Sequence, residues 1–284
     1  MPRITPIHRI RKDKRALSPA ISTVILTSSV VVLILIAALF GSNFLNQRMA
    51  ESDFNAERQF MQNIGLQIDD VSWTIGRTQT TVYASKFGMV NFESLALNYS
   101  MYVDKGSGYV LLANYSVGVL MFDMPIASYS VSNNYQEAIF PTSRVFLQSG
   151  TSAPVSHVFV IEKIPMNDGS YIRVVVAPSI RLLNSSITTG GQKKNYFRFY
   201  LSVLSSGISP RISQAVTLSG NAVSSKMEQN VGKVKFEVTF PKAIFGFDNS
   251  FFGFKHIQEE VILPSGSVAE IYTGKVIVSL GSTS

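Results

Sequence analysis

The feature that most constrains this 284-residue chain is a stretch without charge, residues 16–47, whose middle is almost wholly aliphatic. Within residues 20–40, thirteen of twenty-one positions are Val, Ile, Leu or Phe, and five are Ser or Thr. Moving those thirteen side chains into a bilayer contributes about 4–8 kcal/mol on an insertion scale. Twenty-one residues at a helical rise of ~1.5 Å cover roughly 31 Å, the thickness of the hydrocarbon layer. The reading is a transmembrane helix. A buried core helix is seldom this long and apolar, and a cleaved secretory signal has a shorter apolar region followed by small residues. Here Phe40 is followed by Gly-Ser-Asn-Phe-Leu-Asn-Gln-Arg, so the run is expected to stay with the protein.

Charge sets the orientation. Arg3, Arg9, Arg11, Lys12, Lys14 and Arg15 precede the run with one acid, Asp13, which places +5 of the chain's formal +7 in its first sixteen residues. The positive-inside rule then puts the N-terminus in the cytoplasm and residues 48–284 outside, with membrane lipid as the first partner. The remainder carries only about +2 and no basic stripe, which excludes a nucleic-acid partner. Cysteine is absent, so disulfides, thiolate metal sites and cysteine nucleophiles are excluded too. The outer body must be held by a core, and residues 76–284 are numerous enough to form one.

Ser18-Pro19 marks the helix start, serine as N-cap and proline in the first turn. Lys14, Arg15 and Ala16 are left as accessible chain just before the helix, where a membrane peptidase can cut and spare it. The segment "KRALSPAISTVILTSSVVVLILIAALF" resembles the N-terminus of archaeal type IV pilins and archaellins, the class III signal peptide group. The resemblance covers about residues 14–40. It implies a prepilin-type leader peptidase that recognises Lys14 and Arg15 and cuts after Ala16, leaving Leu17 as the new terminus. It also implies partners that are copies of the chain or related pilins. The fifth mature position is Ile21, where bacterial pilins carry glutamate and many archaeal members do not.

A helical pattern continues past the membrane. Phe54, Met61, Ile68 and Ile75 recur every seven residues with Ile64 and Val71 between them, one apolar stripe that Glu57 interrupts near its start. With Gly76 as C-cap, residues 18–75 are expected to form one helix of about 87 Å, with Gly41 and Gly65 as bends. The stripe is expected to pack mainly on the chain's own β domain. Ser18, Ser22 and Ser29 share one face, which serves either close helix approach or bonds to their own backbone.

After Gly76 the texture becomes strand-like, with runs at 80–84, 94–103, 109–119, 155–161, 171–176, 196–203, 233–240 and 269–280. Asp104-Lys105-Gly106-Ser107-Gly108 and Asn167-Asp168-Gly169 read as hairpin turns. The expected class is α+β: a long N-terminal helix, residues 17–75, behind a basic leader, residues 1–16, and before an antiparallel β-sandwich-like body, residues 76–284.

Chemistry-bearing patterns are few. His8, His157 and His256 lack helical partners for a metal site, and neither Asp69-Asp70 nor Glu259-Glu260 forms an acid/base pair by sequence adjacency. Asp104-x-Gly-x-Gly lacks the later acids of a calcium loop. No catalytic motif is present, so no cofactor and no enzymatic role are expected. Six phenylalanines within residues 240–256 fill a core or make a contact patch. Asn98, Asn114 and Asn184 head glycosylation patterns in numbers that composition alone would produce. The expected role is a pilin-like structural subunit, anchored by its helix and assembling into a surface filament for adhesion or motility. Its rival is a non-polymerising, single-pass anchored extracellular binding module.

Overall fold

The computed structural model describes residues 17–189, 191–208 and 214–281, and divides the chain into two compact units, Met1–Met49 and Ala50–Ser284. Helix α1, Leu17–Ser72, begins within a residue of the expected Ser18-Pro19 start and runs through Gly41 and Gly65. It ends three residues earlier than the heptad pattern predicts. Thr74 N–H turns back to Val71 O, and Gly76, at φ +81°, donates to Gly220 O at 2.8 Å. Ile75 therefore lies outside the helix, 65% exposed, and is not part of the stripe. The apolar period continued past the helix because it carries no signal for the turn that delivers the chain to its first strand.

Among the described residues, eleven strands follow in one sheet. They are β1 (Thr78–Val82), β2 (Met89–Asp104), β3 (Tyr109–Pro125), β4 (Tyr135–Phe140), β5 (Leu147–Ser149), β6 (Ser156–Glu162), β7 (Tyr171–Pro178), β8 (Ile180–Thr189), β9 (Gln192–Ser206), β10 (Ala215–Thr239) and β11 (Gln258–Leu280). Their order is β4-β6-β7-β3-β2-β10-β11-β9-β8-β5, with β1 on β10. Both expected hairpin turns are present: Asp104 Oδ1 accepts from the N–H groups of Gly106 and Gly108, and Gly169, at φ +128°, turns β6 into antiparallel β7. The sheet is mostly antiparallel; β9–β11 and β5–β8 are parallel pairs that the sequence pattern did not foresee.

The stripe of α1 within the larger unit is buried at Ala50, Phe54, Glu57, Met61, Ile64, Ile68 and Val71, spacings of four and three that hold one face against the sheet. Phe54 meets Phe122 of β3 at 6.5 Å and Tyr129 at 5.1 Å between ring centroids. Near its end the helix approaches the sheet backbone closely. Ser72 Oγ and Ser202 Oγ are 2.7 Å apart, and a Cβ built on Gly274 would lie 2.2 Å from Ser72 O. A Cβ on Gly220 would lie 2.4 Å from Thr74 O. These β-strand glycines are present because backbone meets backbone there. The phenylalanine-rich loop fills the core: Phe247, Phe251, Phe252 and Phe254 are buried, Phe240 is half-buried and stacks on Phe252 at 5.5 Å, and Phe245 is exposed.

Gly274→Ala should destabilise the body by about 1–3 kcal/mol through overpacking, seen as a lowered midpoint in thermal denaturation of the detergent-solubilised chain. Gly232→Ala, where the nearest atom is 3.7 Å away, should leave that midpoint nearly unchanged.

Candidate functional site

The site is a surface and not a pocket. Every described side chain in residues 21–49 is exposed, and the thirteen large apolar residues of residues 20–40 range from 44% exposed at Ile36 to 73% at Phe40. The helix is long and apolar enough to cross a membrane. Three of its hydroxyls bond back to its own backbone: Thr27 Oγ1 donates to Thr23 O at 2.8 Å, Ser28 Oγ to Ile25 O at 2.9 Å, and Ser29 Oγ to Ile25 O at 2.8 Å. Back-bonded hydroxyls present no unsatisfied donor to an apolar medium. Ser29 thus makes the bond to its own backbone that the sequence allowed. Lys14, Arg15, Ala16 and His8 lie outside the described residues, and of Leu17, Ser18 and Pro19 only the helical backbone is described.

Within the larger unit, the first turns of α1 hold two carboxylates that sequence reading did not single out as a pair. Asp53 Oδ2 accepts from Ser85 Oγ at 2.7 Å and from the N–H groups of Lys86 and Phe87 at 3.2 Å each, fixing the β1–β2 connection to the helix. Gln214 ties the same connection to the start of β10, donating to Ser85 O and accepting from Ser85 N–H. One turn on, Glu57 is 3% exposed and its Oε2 has no hydrogen-bond partner. Burial, with Asp53 adding repulsion, pushes its pKa up to about 7. Glu57 keeps its place in the buried stripe, and above about pH 7 its ionised form lies there without a partner. A carboxyl that is protonated through much of the acidic range takes an apolar position.

His157 is buried on β6 against Phe159 and Phe254, and burial, followed by the charge of Arg144, pushes its pKa down to about 4. Asp69 accepts from Trp73 Nε1 and Arg181 Nη1, while Asp70 pairs with Arg77 and accepts from Gln79. Glu259 and Glu260 sit at adjacent positions of β11 opposite Phe236 and Lys235, hence on opposite faces of the sheet. Among the described residues no cluster of three His, Asp or Glu could hold a metal ion. Asn114 and Asn184 are exposed, and Asn98 is half-buried. Compared with known proteins, the chain matches no family model, no curated protein and no solved structure.

The raised Glu57 pKa makes a signed prediction. Its contribution to stability is fully present below the unfolded-state value of about 4.5 and is lost as pH rises through about 7. Glu57→Gln should therefore gain stability over the parent at pH 8, on the order of 1–2 kcal/mol after allowance for solvent screening, and little at pH 4. His157 titrates in the opposite sense, losing stability as pH falls from 6.5 to about 4. Denaturant titrations of both proteins at the two pH values isolate the Glu57 contribution, because His157 is common to them.

Proposed function

We propose that the chain is an archaeal type IV pilin-like structural subunit: cut after Ala16, held in the membrane by α1, and assembled into a surface filament through that same helix. The observation that carries this reading is the exposure of every apolar side chain in that segment of α1 while the next segment of the same helix is packed on the sheet. Leaving those thirteen side chains roughly half exposed forgoes on the order of 10–20 kcal/mol of burial, which is as large as the net stability of a domain. Lipid meets that requirement before assembly, and identical helices meet it afterwards. The excess of positive charge ahead of the helix orients the β body outward.

The body serves as the outer sheath, folded as a β-sandwich. Phe199 on β9 and Phe236 on β10 support this, with ring centroids 4.9 Å apart. The ladder places Phe199 level with Ile271 and hence with Lys226, ten residues along β10 from Phe236. A flat sheet would keep such residues far apart, so the strands fold back on themselves.

Two expectations test the function. Arg15→Glu should block maturation, leaving a membrane protein about sixteen residues heavier on a gel; normal processing would contradict recognition by a leader peptidase. Surface filaments sheared from cells of the native host, imaged by negative stain and digested for mass spectrometry, should contain peptides of residues 76–284. Filament preparations consistently free of them, from cells that hold the protein in the membrane, would contradict the structural-subunit reading.

A further inference from the structure

Asn184 lies on β8 just past the point where β5 leaves it. β5 pairs with β8 only at Ile180, Arg181 and Leu182, and Gly150, at φ +122°, then turns the chain away while its N–H donates to Leu182 O at 3.1 Å. Beside this departure is a cleft of about 300 Å³, with Ser149, Thr151, Leu182, Asn184, Phe197 and Arg198 in its walls. That volume is at the small end of the range for ligand sites, roughly 300–1,000 Å³. The antiparallel register sets Asn184 directly opposite Phe197, and strand alternation puts Leu182 on their face. Arg198 belongs to the other face, where its guanidinium is held by Glu270 at 2.9 Å and Ser185 at 3.2 Å over the ring of Tyr196. The Asn184 face of the cleft thus offers an aromatic ring, an aliphatic side chain and an amide, with the hydroxyls of Ser149 and Thr151 in the cleft wall.

An apolar ring beside neutral hydrogen-bonding groups, with the nearby cation already neutralised, suits an uncharged sugar: its C–H face lies on the ring and its hydroxyls meet amide and hydroxyl groups. Asn184 is also the exposed head of Asn184-Ser185-Ser186. The other two acceptor asparagines stand opposite serines and not an aromatic ring. Asn98 stands opposite Ser116 and accepts its hydroxyl at 3.5 Å, and Asn114 stands opposite Ser100.

We propose that Asn184 carries an N-linked glycan whose first, uncharged sugar ring seats in this cleft against Phe197. The covalent step joins Asn184 Nδ2 to the anomeric carbon of a glycosyl phosphate donor. The anomeric C–O bond breaks, the phosphate leaves with its electron pair, and the amide proton passes to solvent. The inference rests on the outward orientation of the body proposed above.

Full-length protein from native membranes should yield an Asn184 peptide with added sugar mass, absent from Asn184→Gln. Chemical deglycosylation should lower the melting midpoint by about 2–4 °C in the parent and by less than about 1 °C in Phe197→Leu. Asn184→Gln with Phe197 retained should reproduce the lowered parental midpoint, which keeps the test independent of how Phe197→Leu folds. Protease added to intact cells separates the two failures. An unmodified Asn184 on a body that the protease digests overturns the inference alone, and an unmodified Asn184 on a shielded body overturns the orientation with it. A glycan whose removal shifts neither the parent nor the variant overturns the seat.

Discussion

Water's rejection of thirteen large apolar side chains on one stretch of helix is the constraint on which the rest of this molecule depends. Their exposure in residues 20–40 withholds burial energy comparable to the whole stability of a domain of this size. By its length and composition such a segment could cross a membrane, where hydrocarbon would cover those side chains. Three of its five hydroxyls, those of Thr27, Ser28 and Ser29, are satisfied by carbonyls one turn back, which lowers the polar demand of the surface.

The same helix changes character where the larger unit begins. From Ala50 onward the apolar positions narrow to one stripe, and the stripe is closed by the sheet. Closure is achieved by shape as much as by hydrophobicity: Gly220 and Gly274 admit the helix backbone against the strands, and Ser72 and Ser202 join across the contact. Asp53 fastens the β1–β2 connection to the helix by three hydrogen bonds. Glu57, one turn further, adds a pH dependence to this junction because its ionised form has lost its water and gained no partner. The helix is thus integral to the body's core over its second part.

How much of this was legible in the sequence follows from which signals are local. The apolar run, the cap residues Ser18-Pro19 and the stripe from Phe54 to Val71 are local signals, and the helix and its buried face appear where they placed them. Ile75 did not, because a period cannot announce a turn made by Gly76 and Gly220 across sequence distance. Strands β4, β5 and β8 and the first part of β10 went unseen for a related reason. β4 is half-buried at all six positions, and residues 221–230 of β10 are exposed at all but Glu228 with apolar residues only at Ala222, Val223 and Met227, so neither shows an alternation. The burial of Glu57, the glycine contacts and the cleft at Asn184 are products of register and packing. The pairing of Asn184 with Phe197 became visible only once β8 and β9 were aligned.

The filament reading requires that the apolar helix remain part of the working protein after its basic leader is removed. N-terminal sequencing of the membrane-associated protein, with its intact mass, tests this most directly. The chain should begin at Leu17 and retain everything after it. A mature protein beginning beyond Phe40, soluble and without the helix, would fail that requirement and contradict the filament reading that rests on it.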